Sequence, residues 1–127
     1  MNLDGQRIWI VGASAGLGAA LARALSEKGA RLVLSARSEE PLQELAAKLG
    51  GAEVIPFDVT DRAATEAAAA KAGEVDTLIY CAGFYEPLAA TEWDADAVLT
   101  MGDTNFMGAL RVLGAALPPM LKRGAGR

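Results

Sequence analysis

The chain has 127 residues, with 12 Lys and Arg against 16 Asp and Glu for a net charge of -4, 52% hydrophobic residues, no His and one Cys. Its length suits one domain that buries a core without disulfides or a structural metal. The missing imidazole excludes Ser-His-Asp and Cys-His catalysis and histidine-ligated zinc from this chain alone, and scattered basic residues on an acidic background argue against a nucleic-acid partner.

Ile8-Trp9-Ile10-Val11, apolar and closed by Gly12, predicts a buried strand. A helix is expected from Leu17, where Leu17, Leu21, Ala24 and Leu25 recur at helical spacing until Gly29 stops it. The unit repeats as a strand over Arg31–Ser35 and a helix with Ser38 at its N-cap, Pro41 in the first turn, and Leu42, Leu45, Ala46 and Leu49 on the buried side. A third unit has Glu53–Phe57 as strand, Thr60 or Asp61 as cap and an alanine-rich helix ending near Gly73. Pro56 cannot donate to a ladder, so this strand belongs at or near a sheet edge.

A fourth strand over Asp76–Cys81 stops at Ala82-Gly83. A loop then leads to a helical region from about Glu92 to Leu117, which Pro118-Pro119 is expected to break. Glu92, Asp94 and Asp96 lack a calcium-loop pattern and read as acids favouring a helix N-terminus. Short apolar strands alternating with helices imply βαβ units, hence an α/β fold with a parallel sheet covered on both faces.

Asp4 stands where a secretory signal needs basic charge, so no targeting segment is expected. The uncharged stretch Ile8–Ala22 is too short for a bilayer span and contains Gly12, Gly16 and Gly18, so no membrane span is expected. Cys81 has no partner for a disulfide, which fits a reducing compartment; cytoplasmic localisation is the expectation.

The chemistry concentrates at Gly12-Ala13-Ser14-Ala15-Gly16-Leu17-Gly18, between a predicted strand and a predicted helix. Glycines there permit a tight turn, close approach of backbone to a pyrophosphate and helix–sheet packing, while the helix N-terminus offers unpaired N–H groups to an anion. The spacing is Gly-x3-Gly-x-Gly, and no Lys-Ser/Thr follows to make a Walker A loop. In nicotinamide-binding folds an acid about twenty residues further on, at the end of the second strand, accepts from the ribose 2′-hydroxyl. Leu34-Ser35-Ala36-Arg37-Ser38 has no such acid before Glu39, and the same lack counts against an S-adenosylmethionine methyltransferase. Arg37, helped by Ser35 or Ser38, suits a 2′-phosphate, which favours NADP(H) over NAD(H). The plain alternative for Arg37 is a solvated charge near a helix start, which would leave room for another nucleotide.

In order and spacing these features resemble the short-chain dehydrogenase/reductase superfamily, in its single-domain catalytic branch. Gly12, Gly16 and Gly18 fit Thr-Gly-x3-Gly-x-Gly with Val11 in place of Thr, and Asp58-Val59 fits the Asp-Val or Asp-Leu pair after the third strand. Tyr80-Cys81-Ala82-Gly83 resembles Asn-Asn-Ala-Gly, and Asn105-Phe106-Met107-Gly108 resembles the Asn-x2-Gly of the next long helix. The resemblance implies a Rossmann-like doubly wound parallel sheet. It assigns cofactor binding to Gly12, Ser14, Ala15, Gly16, Leu17, Gly18, Ser35, Arg37, Asp58, Val59, Cys81, Ala82 and Gly83. It also assigns Asn105 a catalytic part in positioning a proton-relay water. Read singly, Asp58 is equally a helix cap, Asn105 a buried amide and Cys81 a small buried apolar residue. The stretch from Trp93 to Asn105 is several residues longer than usual, so an irregular helix is expected there.

The resemblance covers only the first half of the family fold, truncated after about four strands, so residues 1–127 read as an incomplete NAD(P)-binding domain with Gly126-Arg127 leading into a fifth strand. The family's Tyr-x3-Lys is missing: four residues after Tyr80 and Tyr85 stand Phe84 and Ala89. The implied function is NADP(H)-dependent hydride transfer to or from a small alcohol or carbonyl, with this half inactive alone and the family's homo-oligomers as the expected assembly. The alternative is a non-catalytic NADP(H)-binding or redox-sensing module.

Overall fold

Apolar runs and amphipathic stretches alternate as expected in the computed structural model, which describes residues 2–127. The order is β1 (Arg7–Val11), α1 (Gly16–Ser26), β2 (Arg31–Ser35), α2 (Glu39–Lys48), β3 (Glu53–Val54), α3 (Arg62–Ala72), β4 (Thr77–Tyr80), α4 (Ala95–Gly102), a π-turn (Asp103–Met107) and α5 (Gly108–Arg123). The strands form one parallel sheet in the order β3-β2-β1-β4. This is the doubly wound, Rossmann-like arrangement, truncated at four strands.

Side chains alternate across a strand, and here both faces are buried. Ile8, Ile10, Leu32 and Leu34 pack against Ala19 and Ala22 of α1 and Leu42 and Leu45 of α2. Trp9, Val11 and Val33 face the other way, into a cluster with Phe57, Ala68, Val112, Ala116 and Met120 beneath α3 and α5. The Trp9 indole N–H donates to Ser35 Oγ at 2.9 Å, tying β1 to β2 inside the core.

Two expectations change. The third strand is regular only over Glu53–Val54 rather than to Phe57. Ile55 and Phe57 still donate to Leu34 and Ala36 at 3.0 Å, so Pro56 occupies the alternate position whose absent N–H would point away from β2. Pro56 does lie at the sheet edge.

The second change is α5, which runs through Pro118 and Pro119 to Arg123 instead of breaking at Leu117. The prolines are exposed and stand four residues after the small Gly114 and Ala115, the positions whose carbonyls a helical proline ring crowds. Met120, just beyond them, is buried with Val112 and Ala116. Arg123 donates to the Val75 carbonyl at 2.7 Å, so tertiary contacts on both sides of the prolines hold the helix.

The irregularity before α5 is a π-turn in which the Gly108 N–H donates to the Asp103 carbonyl. Asp94 caps α4 by accepting from Asp96 and Ala97, and Asp61 rather than Thr60 caps α3 by accepting from Ala64. At the other sheet edge Arg127 N–H donates to the Asp76 carbonyl and Leu78 N–H to the Arg127 carbonyl, a parallel pairing beside β4. Between β4 and α5 lies an open apolar groove of about 460 Å³ floored by Leu78, Leu117 and Met120. No helix among the described residues is long and apolar enough to cross a membrane.

Candidate functional site

The strand order reverses direction between β1 and β4, and ligands of open α/β sheets bind outside the carboxyl ends of strands at such a point. There Gly12 takes φ of +93°, and its N–H and that of Ala13 both donate to the Ser35 carbonyl, at 2.7 and 3.0 Å. A Cβ on Gly12 would land on the backbone of Cys81 and Ala82, and one on Gly18 would land on the Gly12 carbonyl. The two segments that close β1 and β4 therefore touch backbone to backbone. No side chain caps the N-terminus of α1, so its first N–H groups stay open to an anion.

A cavity of about 330 Å³ opens at this junction. Of the residues expected to bind a cofactor, Gly12, Ser14, Ala15, Arg37, Asp58, Val59, Cys81, Ala82 and Gly83 line it. Gly16, Leu17 and Gly18 stand behind, in the first turn of α1, with Leu17 exposed. Ser35 does not belong to the lining: it is fully buried and its hydroxyl accepts from Trp9. Ser38 is the hydroxyl beside Arg37 on the cavity wall. Cys81 is half-buried on that wall rather than buried in the core, and burial still raises its thiol pKa.

Asp58 Oδ1 accepts from the Thr60 N–H at 2.9 Å and its hydroxyl at 2.8 Å, so it forms a local turn and does not cap α3. The Thr60 N–H holds the carboxyl below its ordinary 3.8; burial opposes this, while the Thr60 hydroxyl and the positive charges of Arg37 and Arg111 reinforce it. A depressed folded pKa means the stabilisation is complete above the ordinary aspartate range and is lost as pH falls through the lowered value. The expected stability advantage over Asp58→Asn, read by urea unfolding at stepped pH, is present near neutrality and vanishes as the pH falls below 3.8.

Asn105 lies in the π-turn, with Oδ1 accepting from the Phe84 N–H at 2.7 Å and Nδ2 donating to the Phe84 carbonyl at 2.8 Å. Its side chain clamps the segment that follows β4. Arg111 holds the start of the same turn, pairing with Asp103 at 2.6 Å and donating to the Val59 carbonyl at 3.2 Å. Sequence reasoning passed over Thr60, Phe84, Thr100 and Thr104 as lining residues. The spacing of Thr100 and Thr104, one helical turn apart just before Asn105, was the signal available for two of them.

With glycine turn, acidic loop and clamped Ala-Gly segment meeting at one cavity, the likeness to known proteins becomes specific. The sequence profile described as short chain dehydrogenase matches residues 6–127. The chain belongs to that family. The chain is 36% identical over 131 residues to an uncharacterized oxidoreductase of Staphylococcus haemolyticus (strain JCSC1435), covering 98% of the chain and 57% of that protein. A solved short chain dehydrogenase/reductase family protein superposes with a TM-score of 0.93 at 31% identity, over 99% of this chain and 54% of that one. An actinorhodin polyketide ketoreductase solved with NADPH gives 0.91 at 32% identity, over 97% and 51%. The chain thus spans just over half the length of these relatives. Short chain dehydrogenases are oxidoreductases that bind nicotinamide cofactors, which does not favour the non-catalytic module.

Proposed function

We propose that this chain is the cofactor-binding half of an NADP(H)-dependent oxidoreductase acting on an alcohol or carbonyl, residues 1–127 forming an incomplete NAD(P)-binding domain. The observation that carries the NADP(H) preference is Arg37. Its guanidinium is exposed on the cavity wall beside Ser38 and makes no hydrogen bond or ion pair among the described residues, and no acid stands between β2 and Glu39. A cation without a hydrogen-bonded partner at this position, with only the Asp58 carboxylate in electrostatic range across the cavity, suits the 2′-phosphate.

The cradle fits such a cofactor, because Gly12 and Gly18 let the β1 turn pack directly on the Cys81–Ala82 backbone and on the first turn of α1 at the cavity edge, and the uncapped α1 N-terminus adds donors for the pyrophosphate. Bound there, a nicotinamide ring supplies or accepts the hydride. Asp58 and Val59 would border the adenine, Ala82 and Gly83 would line the path toward the nicotinamide, and Asn105 would keep that path in place through Phe84. Neither Tyr80 nor Tyr85 has a Lys four residues on, so the general acid/base is assigned to a part of the parent outside these residues. The exposed stripe of Leu110, Leu113, Leu117 and Leu121 on α5 suits contact with a second copy. A single cysteine suits the cytoplasm.

The test is equilibrium titration of the chain with NADPH and NADH. One charge-assisted contact is worth about 1.5 to 3 kcal/mol, so NADPH is expected to bind roughly ten- to hundredfold more tightly. Equal affinities would remove the NADP(H) assignment, and binding of neither would remove the cofactor reading.

A further inference from the structure

The residue at the end of β4, Tyr80, is half-buried with its ring against the cluster under α5, and its hydroxyl donates to the Thr104 carbonyl at 2.6 Å. That carbonyl needs a donor for a geometric reason. In the π-turn Gly108 N–H donates to Asp103, one residue further back than in an α-helix, and so bypasses Thr104. The ring has room because residue 108 is glycine: a Cβ there would stand 2.6 Å from the Tyr80 oxygen and 2.8 Å from Val59 Cγ2. Sequence neighbours Thr104 and Asn105 therefore grip the two ends of one segment, Thr104 at Tyr80 and Asn105 at Phe84. Between the grips lie Cys81, Ala82 and Gly83, all on the cavity wall, with Ala82 packed on Gly12.

We propose that Tyr80 is a positioning residue for the nicotinamide side of the cavity: its bond to Thr104 locks the π-turn and, with Asn105, sets the height of Cys81-Ala82-Gly83 above the bound cofactor. This rests on the cofactor reading above. Burial pushes the phenol up to about 12, aided by Asp103 and Asp58 against the opposing charge of Arg111, so the hydroxyl remains a donor across the working pH range. The hydrogen bonds of the latch run to Tyr80 and Phe84, on either side of residues 81–83, and none reaches Arg37, so its main effect is expected at the nicotinamide end.

The experiment compares NADPH with adenosine 2′,5′-bisphosphate, which occupies only the adenine end, on the 127-residue chain and its Tyr80→Phe variant. Removing one oxygen is expected to weaken NADPH about five- to tenfold while leaving the bisphosphate within twofold. A general loss of structure would weaken both alike, and that result, or an unchanged ratio, overturns the inference. If the unaltered chain retains neither probe, the cofactor reading fails and takes the latch's role with it. A second measurement needs no variant: amide hydrogen exchange of the unaltered chain. NADPH is expected to slow residues 82–84 and 104–108 together, and the bisphosphate to slow neither. Protection of one segment without the other overturns the coupling.

Discussion

Replacing Arg37 with Asp is expected to shift the ratio of NADPH to NADH dissociation constants by about two to three powers of ten toward NADH. The favourable part lost is one charge-assisted contact, about 1.5 to 3 kcal/mol, or one to two powers of ten. The rest comes from reversing the charge, since a carboxylate repels the 2′-phosphate yet accepts hydrogen bonds from the free 2′-hydroxyl of NADH. Arg37 is exposed and makes no hydrogen bond among the described residues, acting only at a distance on Asp58, so folding stability is expected to move by no more than about 1 kcal/mol. Calorimetric titration of both proteins with both cofactors checks this. An unchanged ratio would make Arg37 a solvated charge and favour a different nucleotide for the cavity.

The second large effect is on folding. Gly12→Ala is expected to cost about 2 to 6 kcal/mol, a substantial share of the stability of an ordinary domain. Two penalties combine. A φ of +93° is a strained conformation for alanine, worth about 1 to 3 kcal/mol, and the new methyl falls on Cys81–Ala82 backbone that no rotamer change can move, for a similar overpacking cost. Gly16→Ala separates the two penalties. Gly16 also has positive φ, +54°, but a Cβ there meets open space, so only the backbone penalty of about 1 to 2 kcal/mol applies. Urea unfolding of both variants reads the difference; equal losses would show that the β1–β4 backbone contact contributes nothing.

Much of the fold was legible because its signals are local. Four apolar runs, each closed by a turn, and helical stripes such as Leu42, Leu45 and Ala46 follow from side-chain periodicity alone, and Pro56 announced its edge by lacking a donor. The glycine turn was legible as a turn between β1 and α1, whereas Asp58, readable from the residues alone as a helix cap, instead accepts from Thr60 two residues on. Ser35 misled because a hydroxyl at a strand end has two faces to choose from. Its diagonal neighbour on β1, Trp9, claimed it for the core. Pro118-Pro119 misled because the stop rule weighs a lost hydrogen bond and a ring clash but cannot see Met120 and Arg123 anchoring the helix beyond.

The amino-acid order by itself determined the alternating parallel α/β plan, the glycine turn at Gly12–Gly18 and the exposed cation at Arg37, because each depends on neighbours within a few residues. Only the tertiary structure decided that Tyr80 reaches Thr104, that Asn105 grips Phe84 and that Gly12 rests on Ala82, contacts spanning 24, 21 and 70 residues. Such pairings arise when packed elements compete to satisfy buried polar groups and exclude voids, and that competition is settled in three dimensions.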